Sequence, residues 1–372
     1  MPHKPELICL WGKKRDPTRE PKDIPTSADK GVRELIKRGY VVKNVYPGIV
    51  RSRLLGLVGG RLADMAGFGL ASLLLLCFAL DKNRVVYTTD YSWVVITSKL
   101  KQLGLVKNRL VVKWAGIDTD LPHDVVRNER RRKRYMRIAE AMQACWTASA
   151  IVQQHWREFA PHVADRFVFW PTAVELGFYE RREGSDTSSA GRVVAVGSDR
   201  KRDWALPIAA AEHGLPVTLL TDDARVPELV EKAGAGKDLK LQYKAGFDRS
   251  ADILAGCGAI LLATAENMRF SGSTTVGVAA ALRKPLILDE EYDLAAYGLE
   301  HGRNCLYFPR GDAAKAAELG RMVLEDEGLA QRLGAELNRL APYFSIEGYA
   351  DQIERSFYPD WRPEAVRWPP TA

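Results

Sequence analysis

The chain has 372 residues with 54 Lys and Arg against 47 Asp and Glu, a net charge of +7, and is long enough for two domains with full cores. Its five cysteines, Cys9, Cys77, Cys145, Cys257 and Cys305, are scattered with no CxxC pair and no histidine cluster, which excludes a disulfide framework or a zinc site as its organising principle. The longest apolar run, residues 68–80, has 13 residues, too few to cross a bilayer, and Met1-Pro-His-Lys-Pro-Glu lacks the shape of a secretory signal; a reduced, cytoplasmic protein is expected.

In chain order, residues 7–11 read as a strand, 27–38 as a helix and 40–45 as a strand. Two apolar helices cover roughly 51–80. A strand at 85–89, a helix at 91–103, a strand at 110–114 and a helix at 127–142 follow, then a strand at 144–147, a helix at 148–159 and a strand at 166–171. Glu183-Gly-Ser-Asp-Thr-Ser-Ser-Ala-Gly191 is small and polar without an apolar period, which marks a linker. Beyond it, strands at 192–197, 216–221, 239–243, 259–263 and 285–289 alternate with helices at 202–213, 226–233, 249–256 and 274–282. Short apolar strands alternating with helices predict parallel sheets covered on both faces.

The fold class is therefore α/β, with two tandem Rossmann-like, doubly wound domains. The domains predicted are 1–182, a linker at 183–191, and 192–345, with a C-terminal helix of about 346–372 packing back on the first. Ligands in such sheets sit at the carboxyl ends of strands, and here also in an interdomain cleft. Charge separates the halves as well. Residues 1–182 hold 32 Lys and Arg with 18 Asp and Glu, whereas 183–372 hold 22 and 29. A basic first half suits an anionic substrate or an anionic membrane.

The most informative local segment is Ser271-Gly-Ser-Thr-Thr, between an apolar strand and Val276-Gly-Val-Ala-Ala-Ala-Leu-Arg-Lys-Pro-Leu-Ile-Leu-Asp289. Backbone N–H groups and hydroxyls gathered at a helix N-terminus suit an anion such as a diphosphate. Gly272 allows close approach of a ligand, and Ser273 or Thr274 is the expected N-cap. A capped turn that binds nothing is the alternative. Gly197 ends the strand at 192–197, and Lys201 and Arg202 lie just beyond, where a basic group can pair with phosphate oxygens. Lys244, after the strand at 239–243, is a further candidate. Asp90 and Asp118 follow strand ends in the first domain, where a carboxylate could act as general base or simply cap a loop. Asp118-Thr-Asp120 is a DxD, but convergent carboxylates beyond one such triplet are needed for a metal, and no metal is expected. Arg127, Arg130, Arg134 and Arg137 recur at helical spacing and form one basic face, suited to solvent, to anionic lipid headgroups or to an anionic acceptor. No nucleic-acid module is recognisable, so nucleic acid is not an expected partner.

Several segments, in order, resemble the "group 1" family of nucleotide-sugar-dependent, mostly retaining glycosyltransferases with the GT-B fold. Trp170-Pro-Thr-Ala-Val-Glu-Leu-Gly-Phe178 is similar to the family's "pNGVDxxxF" segment. Val194-Ala-Val-Gly197 with Lys201 and Arg202 resembles its strand followed by basic residues, and residues 271–285 its "EGxGxxxxEAxAxGKP" loop and helix. Asn304-Cys-Leu-Tyr-Phe with Gly311-Asp312 resembles "NGxLxxxxD", and Phe344-Ser345 the terminal "FS". The resemblance covers roughly residues 140–345. It implies a metal-independent sugar transfer from a nucleoside-diphosphate sugar, with Gly197, Lys201, Arg202, Lys244, Ser271, Gly272, Ser273, Thr274 and Thr275 toward the donor and Asp118, Asp90 and Glu266 as catalytic candidates. It further implies glycan, glycolipid or natural-product glycoside synthesis, an anionic or lipid-linked acceptor among the classes compatible with the basic half, and peripheral contact at an inner membrane face.

The chain departs from the family in three places. Val278 stands where the ribose-holding Glu falls, and Phe270 where the sugar-contacting Glu falls, with Glu266 four residues early. Trp114 or Ala115 stands where the N-domain histidine falls. The Ser-Gly-Ser-Thr-Thr version also resembles the loops of inverting GT-B enzymes. A GT-B-fold nucleotide-sugar epimerase and a non-catalytic GT-B-fold binding protein are the rival readings.

Overall fold

The protein is described from a computed structural model over residues 4–11, 27–46, 71–113, 129–182, 189–198, 202–234, 236, 238–265, 272–290 and 294–362. Its contacts divide it into two units, one of Met1–Trp170 with Tyr349–Arg367, the other of Pro171–Gly348 with Trp368–Ala372.

The first unit is built on six parallel strands: β1 (Leu7–Leu10), β2 (Val42–Val45), β3 (Val85–Thr88), β4 (Arg109–Lys113), β5 (Ala144–Thr147) and β6 (Phe167–Phe169), in the order β2-β1-β3-β4-β5-β6. β1, β3 and β5 are buried at every position, as a sheet with both faces covered requires. Alternate residues face opposite layers. Ile8, Leu10, Val86 and Val112 join a core with α2 (Tyr91–Gln102), α3 (Glu129–Ala141) and α4 (Ala150–Phe159), following α1 (Ser27–Lys37). On the opposite layer, Tyr87 meets Phe357 and Tyr349: the Tyr87 and Phe357 ring centroids are 6.5 Å apart, and the Tyr87 and Tyr349 hydroxyls 3.2 Å. Arg38 ties this layer down by ion pairs to Asp351 (2.5 Å) and Glu354 (3.1 Å).

The second unit opens with α6 (Leu176–Glu180), which follows the single-turn α5 (Pro161–Ala164) of the first. Its strands are β7 (Val193–Val196), β8 (Val217–Thr221), β9 (Leu239–Tyr243), β10 (Ala259–Leu262), β11 (Leu286–Asp289) and β12 (Leu306–Phe308), all parallel, in the order β12-β11-β10-β7-β8-β9. The chain steps outward from β7 through β8 to β9, then crosses back and lays β10 on the other side of β7. The gap between the carboxyl ends of β7 and β10 is thus the topological switch point, where doubly wound sheets receive ligands. The covering helices are α7 (Ala205–Glu212), α8 (Val226–Lys232), α9 (Phe247–Gly256), α10 (Ser273–Ala281), α11 (Ala313–Glu325) and α12 (Glu327–Asn338); α13 (Ile346–Arg355) carries the chain back into the first unit.

The predicted helix starts at 202 and 274 shift in the structure. α7 begins at Ala205 because Asp203 Oδ1 accepts the Ala205 and Leu206 N–H groups (3.0 and 3.3 Å), as capping acids do. Residues 306–308 and 313–338, to which no element was assigned from sequence, supply β12, α11 and α12. Gly334 of α12 fits against the turn after α10, since a Cβ there would stand 2.0 Å from the Arg283 carbonyl oxygen. Asn338 Nδ2 donates to the Ala280 carbonyl (2.8 Å) beside it.

Candidate functional site

Arg202 lies at the switch point. Arg202 pairs with Thr264, just past β10, as an isolated antiparallel bridge. The Asp203 N–H also donates to the Ala263 carbonyl (3.2 Å). From there the Arg202 guanidinium Nη2 donates to Thr275 Oγ1 on the first turn of α10 (3.1 Å). A Cβ at Gly197 would lie 2.4 Å from Arg202 Nε and 2.8 Å from Cγ. A larger residue at 197 would have to displace this arginine side chain from its path.

The N-terminus of α10 differs from the expectation in one respect. Its N-cap is Gly272, and no side chain caps it among the described residues. Ser273 Oγ instead accepts the Thr172 backbone N–H (2.7 Å), so the hydroxyl predicted as a cap is used to join two segments. Thr274 is exposed and Thr275 is buried beside Arg202. First-turn N–H groups of a helix carry partial positive charge. Here they share one site with a guanidinium, the combination that holds an oxyanion.

The remaining turns of α10 are buried on all sides, which is the behaviour of a helix without a polar face. A Cβ at Gly277 would come within 3.1 Å of both Phe344 Cδ1 and Val174 Cγ2. Val174 and Ser345 form a parallel bridge, and the Val174 N–H donates to the Phe344 carbonyl (2.7 Å). Thr172 and Val174, and Phe344 far from them in sequence, thus meet on α10. Val278 is buried in this packing, 4% exposed.

Asp289 was not among the sequence candidates, although an acid closing the apolar strand β11 was a visible signal. It is 1% exposed. Its carboxylate accepts from the Thr264 N–H (3.2 Å) and hydroxyl (3.0 Å), and Arg310 Nε lies 3.5 Å away. It thereby holds the residue that pairs with Arg202.

The other candidates fall elsewhere. Lys244 follows the edge strand β9, with β8 between it and β7. Its φ is +53° and its ammonium lies 4.9 Å from the Tyr243 ring centroid, so the structure does not bring it into the Arg202–Thr275 hydrogen bond. Asp90 is in the first unit, where its carboxylate N-caps α2 by accepting from Ser92 N (3.0 Å) and Trp93 N (3.4 Å). Asp118, Asp120, Glu266, Lys201, Ser271, Phe270, Trp114 and Ala115 lie outside the described residues. Among the described residues no group of three or more His, Cys, Asp or Glu is placed to hold a metal.

The thiols carry no chemistry at this site. Cys9, Cys145, Cys257 and Cys305 are buried and Cys77 is exposed. Burial pushes the Cys257 and Cys305 thiols up to about 12. Reaction with a disulfide reagent at pH 8 should therefore titrate a single fast thiol in the native chain and five after denaturation, because the thiolate is the reactive form; more than one fast thiol would contradict this packing.

No protein-family model matches the sequence, and no curated protein is similar to it in sequence. In structure it has many counterparts. HepE of Anabaena, solved with UDP-glucose, matches at a TM-score of 0.67 and 13% identity over 94% of this chain and 98% of that one. A glycosyltransferase from Rickettsia africae matches at 0.67 and 12%, over 96% and 100%. An α,α-trehalose-phosphate synthase (UDP-forming) from Burkholderia vietnamiensis matches at 0.66 and 13%, over 95% and 97%. The chain has the GT-B fold of glycosyltransferases, two Rossmann-like units in tandem.

Proposed function

We propose that this chain is a glycosyltransferase that moves a sugar from a nucleoside-diphosphate donor to an acceptor without a bound metal. The observation that carries the reading is Arg202 hydrogen-bonded to the first turn of α10 at the switch point of the second sheet. Charge develops on the diphosphate as the glycosidic bond to it breaks. A fixed guanidinium and preoriented backbone N–H groups stabilise that charge without reorganising. Gly272, Ser273, Thr274 and Thr275 line the helix end in this role, Gly197 gives Arg202 its path, and Lys201, Ser271 and Lys244 are assigned to the donor by the same reading. The occurrence of UDP-glucose in a structural counterpart of this fold supports the choice of donor class.

In the first unit, Asp90 or Asp118 is the base toward the acceptor hydroxyl if the anomeric configuration inverts; retention needs no protein base. Glu266 is assigned to the donor hydroxyls. The acceptor belongs to the anionic or lipid-linked classes that a basic first half suits, and the product to glycan, glycolipid or natural-product glycoside synthesis.

Thermal unfolding in the presence of UDP, GDP, ADP, TDP and CDP tests the reading. One of them at 100 times its dissociation constant should raise stability by about 2.7 kcal/mol, a shift of roughly 5–10 °C for units of this size. No shift with any of the five would overturn it and favour a non-catalytic binding protein, a reading that buried Val278 supports by placing an apolar side chain where the family has its ribose-holding acid. Conversion of a nucleotide sugar to its epimer without any acceptor would make the chain an epimerase instead.

A further inference from the structure

A second feature lies in the first unit, between α2 and α3, and does not depend on the donor reading. The two helices enclose a groove of about 290 Å³ lined by Lys99 on α2 and by Arg130, Lys133, Arg134 and Arg137 on α3. α2 contains no acid. Among the described residues, the carboxylates on α3 are Glu129, which pairs with Lys133 (2.7 Å), and Glu140, which lies 3.3 Å from His162. Five cations therefore share one trough with little compensation. Ser98, among the residues that line it, is 1% exposed, and its hydroxyl meets no hydrogen-bond partner among the described residues. A buried hydroxyl lacking a partner is uncommon in folded proteins.

Gln102, the last residue of α2, lines this groove, and three large apolar side chains in the turn that follows it and the turn before β3 are exposed to water. Leu103 and Leu105, in the turn after α2, are 71% and 57% exposed, and Leu80 is 82% exposed. The two turns are fastened together, since Asn108 Nδ2 donates to the Asp81 and Arg84 carbonyls (2.8 and 3.0 Å) and Lys101 Nζ donates to the Asn108 carbonyl (2.5 Å). Both turns precede their strands, β3 and β4, so the leucines lie at the amino end of the first sheet and Asp90 at its carboxyl end.

We infer that this face docks on a membrane, with the groove receiving the phosphate of an anionic lipid headgroup and the three leucines entering the interface. Clustered Lys and Arg are drawn to anionic leaflets and apolar side chains add insertion. A lipid is favoured over a soluble phosphate because the leucines gain only from a hydrocarbon boundary. This face would leave the carboxyl end of the sheet free of the bilayer.

Cosedimentation of the full chain with vesicles of phosphatidylglycerol and phosphatidylcholine, against phosphatidylcholine alone, tests the inference. Binding should require the anionic lipid and weaken with salt. Arg134→Gln with Arg137→Gln should cost roughly 30-fold, about 5-fold for each charge removed. Leu103→Ser with Leu105→Ser should retain the salt-sensitive binding and lose what persists at high salt. Unchanged circular dichroism of both variants separates these losses from misfolding, and Arg130→Gln supplies an independent surface substitution if either fails to fold. Equal binding to neutral vesicles, or no binding, would overturn the inference. So would full release by inorganic phosphate with the leucine variant unaffected, which would make the groove a subsite for soluble phosphate, and so would a requirement for an acidic protein in place of lipid.

Discussion

Replacing Arg202 by Ala is expected to weaken nucleoside-diphosphate binding by about 30- to 150-fold, measured by calorimetric titration with the nucleotide that stabilises the native chain most. The magnitude follows from the loss of charge-assisted hydrogen bonds to phosphate oxygens, about 2–3 kcal/mol. Arg202→Lys should recover part of it, because an ammonium supplies the charge without the planar pair of donors. The substitution also removes the hydrogen bond to Thr275 Oγ1 (3.1 Å), so a fall in unliganded stability of about 1 kcal/mol or more is expected. If the Ala variant bound the nucleotide as tightly as the parent chain, the anion role of Arg202 would be wrong. The donor site would then have to be sought away from the β7–β10 switch point.

The second large effect concerns Asp289→Ala. The substitution removes a carboxylate that is 1% exposed, which accepts from the Thr264 N–H and hydroxyl and lies 3.5 Å from Arg310 Nε. Stranding buried polar groups costs about 3 kcal/mol. For a unit of this size that is a fall in Tm of roughly 6–12 °C. Asn at 289 keeps an acceptor for Thr264 and should lose less. Because Thr264 is the bridge partner of Arg202, the Ala variant should also bind nucleotide several-fold more weakly after correction for folding. A Tm unchanged within a degree would show that Thr264 and Arg310 are satisfied without Asp289. A lower Tm with unchanged affinity would confine Asp289 to stability and remove it from the site.

The two effects differ in kind. Arg202 is half-buried and reaches toward the place where an anion would lie, so its worth is read in binding. Asp289 is enclosed and touches no such place, so its worth is read in folding first and binding second. A double substitution would show coupling beyond additivity only if the Thr264 bridge transmits one to the other.

Much of the architecture was legible in the chain itself. Buried parallel strands such as Val193–Val196 and Ala259–Leu262 are short apolar runs, and their alternation with helices declares an α/β sheet before any contact is known. Gly197 and Arg202 were picked out by their place just after such a strand, and the structure packs the two together. Element ends were less so. α7 begins three residues late because the competition between Arg202's bridge and Asp203's cap is settled by β10, a strand more than fifty residues away. Ser273 was misread as a cap for the same reason: its partner, Thr172, is about a hundred residues distant.

Asp289 marks the limit most clearly. Its type and its place at the end of β11 were visible, but the worth of a carboxylate depends on what surrounds it, and Thr264 and Arg310 come from two other segments. By itself the sequence determined the strands from β1 to β11, most of the helices between them, and that the sheets are parallel. These follow from periodicity and local backbone physics, which act over a few residues. Only the tertiary structure decided that Arg202 reaches Thr275, that Ser273 serves Thr172, that Val278 is shut into packing, and that Asp289 holds the bridge beneath the site. Those are long-range pairings, set by strand order and by burial, and neither is written in any local window of the chain.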